Sequence, residues 1–246
     1  MRDNWVVITG SSGEIGQALT KKFLEQGYSV LGLDINPPSK IIPSMYWPFD
    51  LLAFATDERF SKNAKNKISE FCKCHTVSLL INNAAIQIID QGNFNDIKNF
   101  QISYSVNTVA PYGLYRLFYP SLAKNKGSMI NIGSVHSLLS KKGFTSYAAS
   151  KASLRSLTKT LAIENQGAVR LFSVEPGAVK TSMLMAGFKD KATYSQLKNY
   201  HPSGDIATPL EIANFISLLF SSNSMFLHGS TIDFNGGISS VLHDPA

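Results

Sequence analysis

Residues 4–34 read NWVVITGSSGEIGQALTKKFLEQGYSVLGLD, and the fold follows from how they divide. Asn4 to Thr9 is apolar on consecutive positions, the pattern of a strand buried on both faces. Gly10-Ser11-Ser12-Gly13-Glu14-Ile15-Gly16 comes next. Gln17 to Gln26 then places Ala18, Leu19, Phe23 and Leu24 on one side of a helix that Gly27 stops. Tyr28 to Leu33 is a second apolar run, closed by Asp34. Strand, glycine turn, helix, strand and acid together form a dinucleotide-binding arrangement. Glycines let the backbone approach a pyrophosphate seated on the helix N-terminus, and the acid accepts hydrogen bonds from the adenosine ribose. A tight turn with no ligand is the competing reading, and the acid 18 residues beyond Gly16 weighs against it.

The pattern continues outward. Pro37-Pro38 opens a loop, Met45 to Phe49 reads as a short strand before Asp50, and residues 51–72 as one long helix. Thr76 to Ile81 is another buried strand, closed by Asn82-Asn83-Ala84-Ala85. A helical segment from Asp96 to Ala123 is apolar nearly all round in its second half, through Val109, Tyr112, Leu114, Tyr115, Leu117 and Phe118. It calls for cover on more than one side, from the sheet and from a second subunit. Asn107 interrupts it, and Pro111 four residues later disturbs the turn. Further strands are expected over Ser128 to Ile132, Val169 to Val174 and Ser230 to Phe234, and helices over Thr145 to Asn165 and Pro209 to Phe220. The expected fold is α/β: a Rossmann-type doubly wound parallel sheet of about seven strands, helices on both faces, in one domain over 1–246. Residues 182–204 lack clean periodicity and read as a mobile flap.

A second constellation lies in GSVHSLLSKKGFTSYAASK, residues 133–151. On a helix, Tyr147 and Lys151 are one turn apart and share a face. A phenol ionises near pH 10, too high for proton transfer at neutral pH, and a neighbouring cation favours the phenolate. The Ser134 hydroxyl then holds a substrate oxygen while Tyr147 moves the proton. Taken alone, the pair reads more readily as a half-buried Tyr beside a solvated Lys.

In order along the chain, Gly10/Gly13/Gly16, Asp34, Asp50, Asn82-Asn83-Ala84-Ala85, Asn107, Ser134, Tyr147-x-x-x-Lys151 and Pro176-Gly177 resemble the short-chain dehydrogenase/reductase family in its compact form. The likeness spans essentially the whole chain, including Asp233-Phe-Asn-Gly-Gly237. It implies Tyr147 as general acid/base, Ser134 as the substrate-positioning hydroxyl, and Lys151 on the nicotinamide ribose while lowering the Tyr147 pKa. Asn107 completes the set through a water linking Lys151 to solvent. It implies a cofactor site of Gly10, Ser12, Gly13, Ile15, Gly16, Asp34, Asp50, Leu51, Asn83, Ala84, Tyr147, Lys151, Pro176, Gly177, Val179 and Thr181. Of these, Asp50 reaches the adenine and Thr181 the carboxamide. The implied reaction is hydride transfer between nicotinamide and an alcohol or carbonyl carbon. Two positions depart from the family pattern: Glu14 replaces a glycine, and Ala85 stands where glycine is usual. The resulting Gly-x-x-Gly-x-x-Gly spacing also occurs in the longer, epimerase-like branch. A sugar-nucleotide epimerase or dehydratase, and a non-catalytic dinucleotide sensor, are therefore the alternative functions.

Asp34 with no Arg or Lys replacing it favours NAD (NADH) over its 2′-phosphorylated form. Net charge is +6, but the lysines are scattered and no aromatic-interleaved basic patch suggests nucleic acid. Cys72, Cys74 and His75 lack the further ligand cluster a metal needs. No signal-peptide pattern and no membrane-spanning apolar run are present, so a cytoplasmic protein is expected. The family habit implies self-association to a dimer or homotetramer.

Overall fold

The computed structural model describes residues 4–185 and 191–241. Strands β1 (Asn4–Thr9), β2 (Ser29–Asp34), β3 (Met45–Pro48), β4 (Thr76–Asn82), β5 (Ser128–Ile132), β6 (Arg170–Pro176) and β7 (Thr231–Phe234) form one sheet in the order β3-β2-β1-β4-β5-β6-β7. All pairings are parallel. From β1 the chain winds outward to β3, then crosses to β4 and winds the other way. The crevice between the carboxyl ends of β1 and β4 is thus the switch point, where open α/β sheets bind ligands.

Helices cover both faces because the central strands are buried on both. Helix α1 (Glu14–Glu25) packs on one face with Pro209–Ser221. Leu19 and Phe23, one turn apart on α1, meet Val6, Ile8 and Val30 there. Each such fully buried side chain contributes about 1.5–3 kcal/mol. On the other face, α2 (Leu51–Thr56), α3 (Glu58–Cys74), α4 (Asp96–Tyr104), α5 (Ala110–Lys124) and α6 (Thr145–Asn165) follow the chain; apolar residues of α2, α3, α5 and α6 join Val7, Leu31, Leu80 and Met129, and α4 packs on α6. The remaining helices are α7 (Ser182–Met185), α8 (Lys191–Asn199) and α9, the Pro209–Ser221 helix just named.

Three sequence expectations change. The single helix over 51–72 is two, because Asp57 turns extended and its carboxylate caps the N-terminus of α3 through the Phe60 N–H. The helix from Asp96 is likewise divided, by a π-helical turn at Ser105–Val109. Pro111 offers no N–H and its ring crowds the Asn107 carbonyl, and the wider turn relieves both. The apolar run on α5 is covered within the chain: Leu114, Tyr115 and Phe118 are buried and only Tyr112 of the run is exposed. The expected flap contains α7 and α8, while its residues 186–190 lie outside the described residues. Among the described residues, no helix is long and apolar enough to cross a membrane. No group of metal-ligating side chains is assembled among them.

Candidate active site

The glycine turn is held by backbone geometry. Gly10 adopts φ +65°, and a Cβ there would lie 2.8 Å from the Ala84 Cα. A Cβ on Gly16 would lie 2.0 Å from the Gly10 carbonyl oxygen, so only glycine lets α1 start this close to the turn. Gly13 has no such constraint, with its nearest neighbour at 3.5 Å. Asn83 locks the turn to β4. Its side-chain amide donates to the carbonyls of Thr9 (3.0 Å) and Gly10 (3.1 Å), while the Thr9 hydroxyl accepts the N–H groups of Asn83 and Ala84, both at 3.0 Å.

Asp34, at the end of β2, accepts the Ser12 N–H at 3.0 Å and the Asn36 N–H at 2.8 Å. Its carboxylate thereby ties the glycine turn to the next loop. Ile15 is half-buried beside the turn. Asp50 caps α2 through the N–H groups of Leu52 (2.8 Å) and Ala53 (3.2 Å), and Leu51 is buried beneath it.

Glu14 does not face the turn. Its carboxylate accepts the Ser182 N–H at 2.7 Å and the Ser182 hydroxyl at 3.1 Å, so it caps the start of the segment after Thr181. A carboxylate in the first turn of a helix is also favoured by the helix dipole.

Ser134, Tyr147 and Lys151 are assembled at β5 and α6. Ser134 follows β5; its hydroxyl accepts the His136 N–H at 3.1 Å and is near enough to the Tyr147 phenol to favour its ionisation. The start of α6 is fixed from outside the helix: Asp90 accepts the Ser146 N–H (2.7 Å) and hydroxyl (2.8 Å). Tyr147 is packed edge-on by Phe144 and His136, each with ring centroids 6.0 Å away. Burial and the nearby Glu175 carboxylate push its phenol up to about 12, against the opposing hydrogen bond from Ser134. Lys151 is 2% exposed and donates to the Ile132 carbonyl at 2.8 Å. Burial brings its ammonium down to about 8, with Glu175 opposing. In this structure the ammonium is thus engaged by a backbone carbonyl and lies 5.8 Å from the centroid of the Tyr147 ring. Asn107 is fully buried: it accepts the Ile86 N–H and donates to the Ile86 carbonyl and the Ser150 hydroxyl, all at 2.9 Å. Ser150 in turn donates to the Tyr147 carbonyl at 2.7 Å.

Beyond β6, the Gly177 N–H donates to the Phe234 carbonyl, and Pro176 precedes it as the last residue of the strand. Val179 is buried and bridges to Ala207. The Thr181 hydroxyl donates to the Val179 carbonyl at 3.2 Å and accepts the Leu184 N–H at 3.3 Å. The structure thus brings Ser134, Tyr147 and Lys151 together, with Asn107 bracing them from behind. Gly10–Gly16, Asp34 and Asn83–Ala84 gather separately at the switch point. Asp90, Ser150 and Glu175 are additions the sequence reading did not single out. For Glu175 a signal existed: a carboxylate directly after the apolar run Val169–Val174 and before Pro176-Gly177.

Residues 10–239 match the family model described as enoyl-(acyl carrier protein) reductase. The chain belongs to the short-chain dehydrogenase/reductase family. It is 30% identical over 240 residues to an uncharacterized oxidoreductase of Schizosaccharomyces pombe, covering 95% of this chain and 90% of that one. It is 29% identical over 245 residues to a 3-oxoacyl-(acyl-carrier-protein) reductase of Vibrio harveyi, covering 94% and 96%. A solved structure of 4-hydroxyisoleucine dehydrogenase complexed with NADH superposes with a TM-score of 0.86 at 28% identity, covering 97% and 100%. As a member of this family the chain is an oxidoreductase that uses a nicotinamide dinucleotide.

The residues present fit such a cofactor. The turn into α1 is stripped of side chains at Gly10 and Gly16, and the one carboxylate inserted there, on Glu14, is drawn away to Ser182.

Proposed function

We propose that this short-chain dehydrogenase/reductase transfers a hydride between NAD(H) and a small carbonyl or secondary alcohol, with Tyr147 as general acid/base. The observation that carries the reading is the buried Tyr147 phenol beside Ser134, with buried Lys151 one turn along the same helix and its ammonium 5.8 Å from the centroid of the Tyr147 ring. In reduction, Ser134 holds the carbonyl oxygen and the Tyr147 phenol gives it a proton. In oxidation, the phenolate takes the proton back. Lys151, a cation in a dry pocket, favours that phenolate once its Ile132 bond is exchanged for one to the nicotinamide ribose. Asn107 and Ser150 hold the backbone of α6 under Tyr147. The cofactor, when bound, supplies or accepts the hydride.

Gly10, Ser12, Gly13, Ile15 and Gly16 would line the pyrophosphate, and Asp34 the adenosine ribose. Asp50 and Leu51 would lie at the adenine, Asn83 and Ala84 along the cofactor, and Pro176, Gly177, Val179 and Thr181 at the nicotinamide. Asp34 supports NAD over NADP, because a 2′-phosphate beside a carboxylate is repelled. The same reading includes a substrate flap over 182–204, a cytoplasmic location, and a dimer or tetramer. For assembly, the support is the exposed aromatic side chains of Phe100, Tyr104 and Tyr112 along α4 and α5.

A screen of NADH and NADPH oxidation over ketones, sugars and acyl thioesters tests the function. Net turnover with NADH above that with NADPH is expected. Retained cofactor without net turnover would instead favour an epimerase or dehydratase, and binding with no chemistry a sensor.

A further inference from the structure

Of the acidic side chains described, only Asp90 and Glu175 are buried, and Glu175 is completely so. Burying a carboxylate costs several kcal/mol unless hydrogen bonds and an opposite charge offset it. Glu175 has both. Its Oε2 accepts the Ser134 backbone N–H at 2.8 Å, and its Oε1 accepts the Ser173 hydroxyl at 2.6 Å. The chain makes room for it at Gly133, where any Cβ would lie 2.1 Å from Oε2 and 2.6 Å from Oε1. Gly133 and Ser134 form the exit of β5, so the carboxylate fixes the residue whose hydroxyl favours ionisation of Tyr147. An opposite charge lies at the same end of β5: buried Lys151 donates to the Ile132 carbonyl, one residue before the Gly133 that the Glu175 carboxylate abuts.

We propose that Glu175 is a positioning residue of this active site, holding the Ser134 backbone in place and providing the buried counter-charge of Lys151. This rests on the catalytic reading above and extends it to a group outside the Ser-Tyr-Lys set. Other charged or titratable groups face the same region. On β7, Asp233 is the register neighbour of Glu175 and lies 3.9 Å from the Arg155 guanidinium of α6. On the β5 exit, His136 packs against the Tyr147 ring. Asp233 pairs with Arg155, whereas Lys151 and Glu175 both reach the β5 exit, at the Ile132 carbonyl and the Ser134 N–H. The carboxylate favours the protonated ammonium and disfavours the phenolate, in agreement with its effect on both groups.

The test is Glu175→Gln in the full chain, which keeps size and removes charge. With 13C-labelled lysine, the Lys151 Cε resonance, assigned by its loss in Lys151→Met, reports ammonium ionisation without any need for turnover. Its midpoint is expected to move to lower pH by about one unit. An unchanged midpoint in a folded variant overturns the proposal. Should Glu175→Gln not fold, the double variant with Lys151→Met decides. Recovery of folding there supports the charge pair, whereas failure of the double, with Lys151→Met alone folded, makes Glu175 merely structural. In turnover, the alkaline limb of kcat for reduction should shift to lower pH by a similar amount, because the phenol also loses its proton sooner. A wild type without nicotinamide-dependent turnover defeats the catalytic reading, while the lysine titration still decides Glu175.

Discussion

The glycine turn and the Ser134–Tyr147–Lys151 pocket lie at the same carboxyl end of the sheet, yet they are held by opposite means. At the turn, backbone meets backbone: Gly16 sits against the Gly10 carbonyl, Gly10 against Ala84, and Asn83 stitches the two strand ends together. In the pocket, a phenol, an ammonium and a carboxylate are buried together, and the carboxylate shifts the ionisation of the other two. Sterics punish any change at the first. At the second, shape survives substitution and the proton equilibria move. Conformational constraint therefore leaves a signature in residue type, and electrostatic constraint leaves one in pH dependence.

The largest break in the comparison is expected from Gly16→Ala. The added methyl has only backbone to collide with, which cannot yield as a side-chain end does. A loss of about 3 kcal/mol in urea unfolding, with NADH binding lost, is expected. Wild-type stability in this variant would show the turn to be looser than described.

Next in size is a pH effect in the pocket. Lys151 ionises at about 8 in the fold against an ordinary 10.5. Between those values the unfolded chain binds more protons, so stability rises with pH there. Tyr147 works the other way: held up to about 12 from 10.0, it contributes stability that is lost as pH rises from 10 towards 12. Urea unfolding without added nucleotide at pH ~7.5 and ~9.5 should show a gain on the order of 2 kcal/mol attributable to Lys151. It should be missing from Lys151→Met. An equal gain in both proteins would mean that the ammonium is not desolvated.

How far each region is legible in sequence follows from the same contrast. Gly10, Gly16 and Asp34 are local in the chain, and their spacing announces the turn and its strands. Ser134, Tyr147 and Lys151 are readable because two of them share a helix face. Their support is not. Asp90 reaches Ser146 across 56 positions, Asn107 reaches Ser150 across 43, and Glu175 reaches Ser134 across 41. Nothing local encodes those meetings. The break at Asp57 was hidden because a helix-favouring stretch continues past it on both sides. Cover for α5 from within the chain could not be read from the pattern of α5 itself.

Glu14→Gly gives the smallest effect and sharpens the comparison at the one point where a charge enters the turn. Glu14 and its partner Ser182 are both exposed, so stability should change by less than about 1 kcal/mol. Backbone exchange of the Ser182 amide should quicken, while NADH affinity stays nearly constant. Markedly tighter NADH binding would show that this carboxylate repels the cofactor after all.

The central claim is that Tyr147 moves the proton, and Tyr147→Phe tests it most directly because it deletes one hydroxyl and keeps the ring between Phe144 and His136. Turnover against pH, with a carbonyl substrate from the NADH screen, is to be compared with NADH affinity by fluorescence titration. The account expects kcat to fall by about a thousandfold with NADH binding essentially retained. Near-normal turnover in the variant would contradict it.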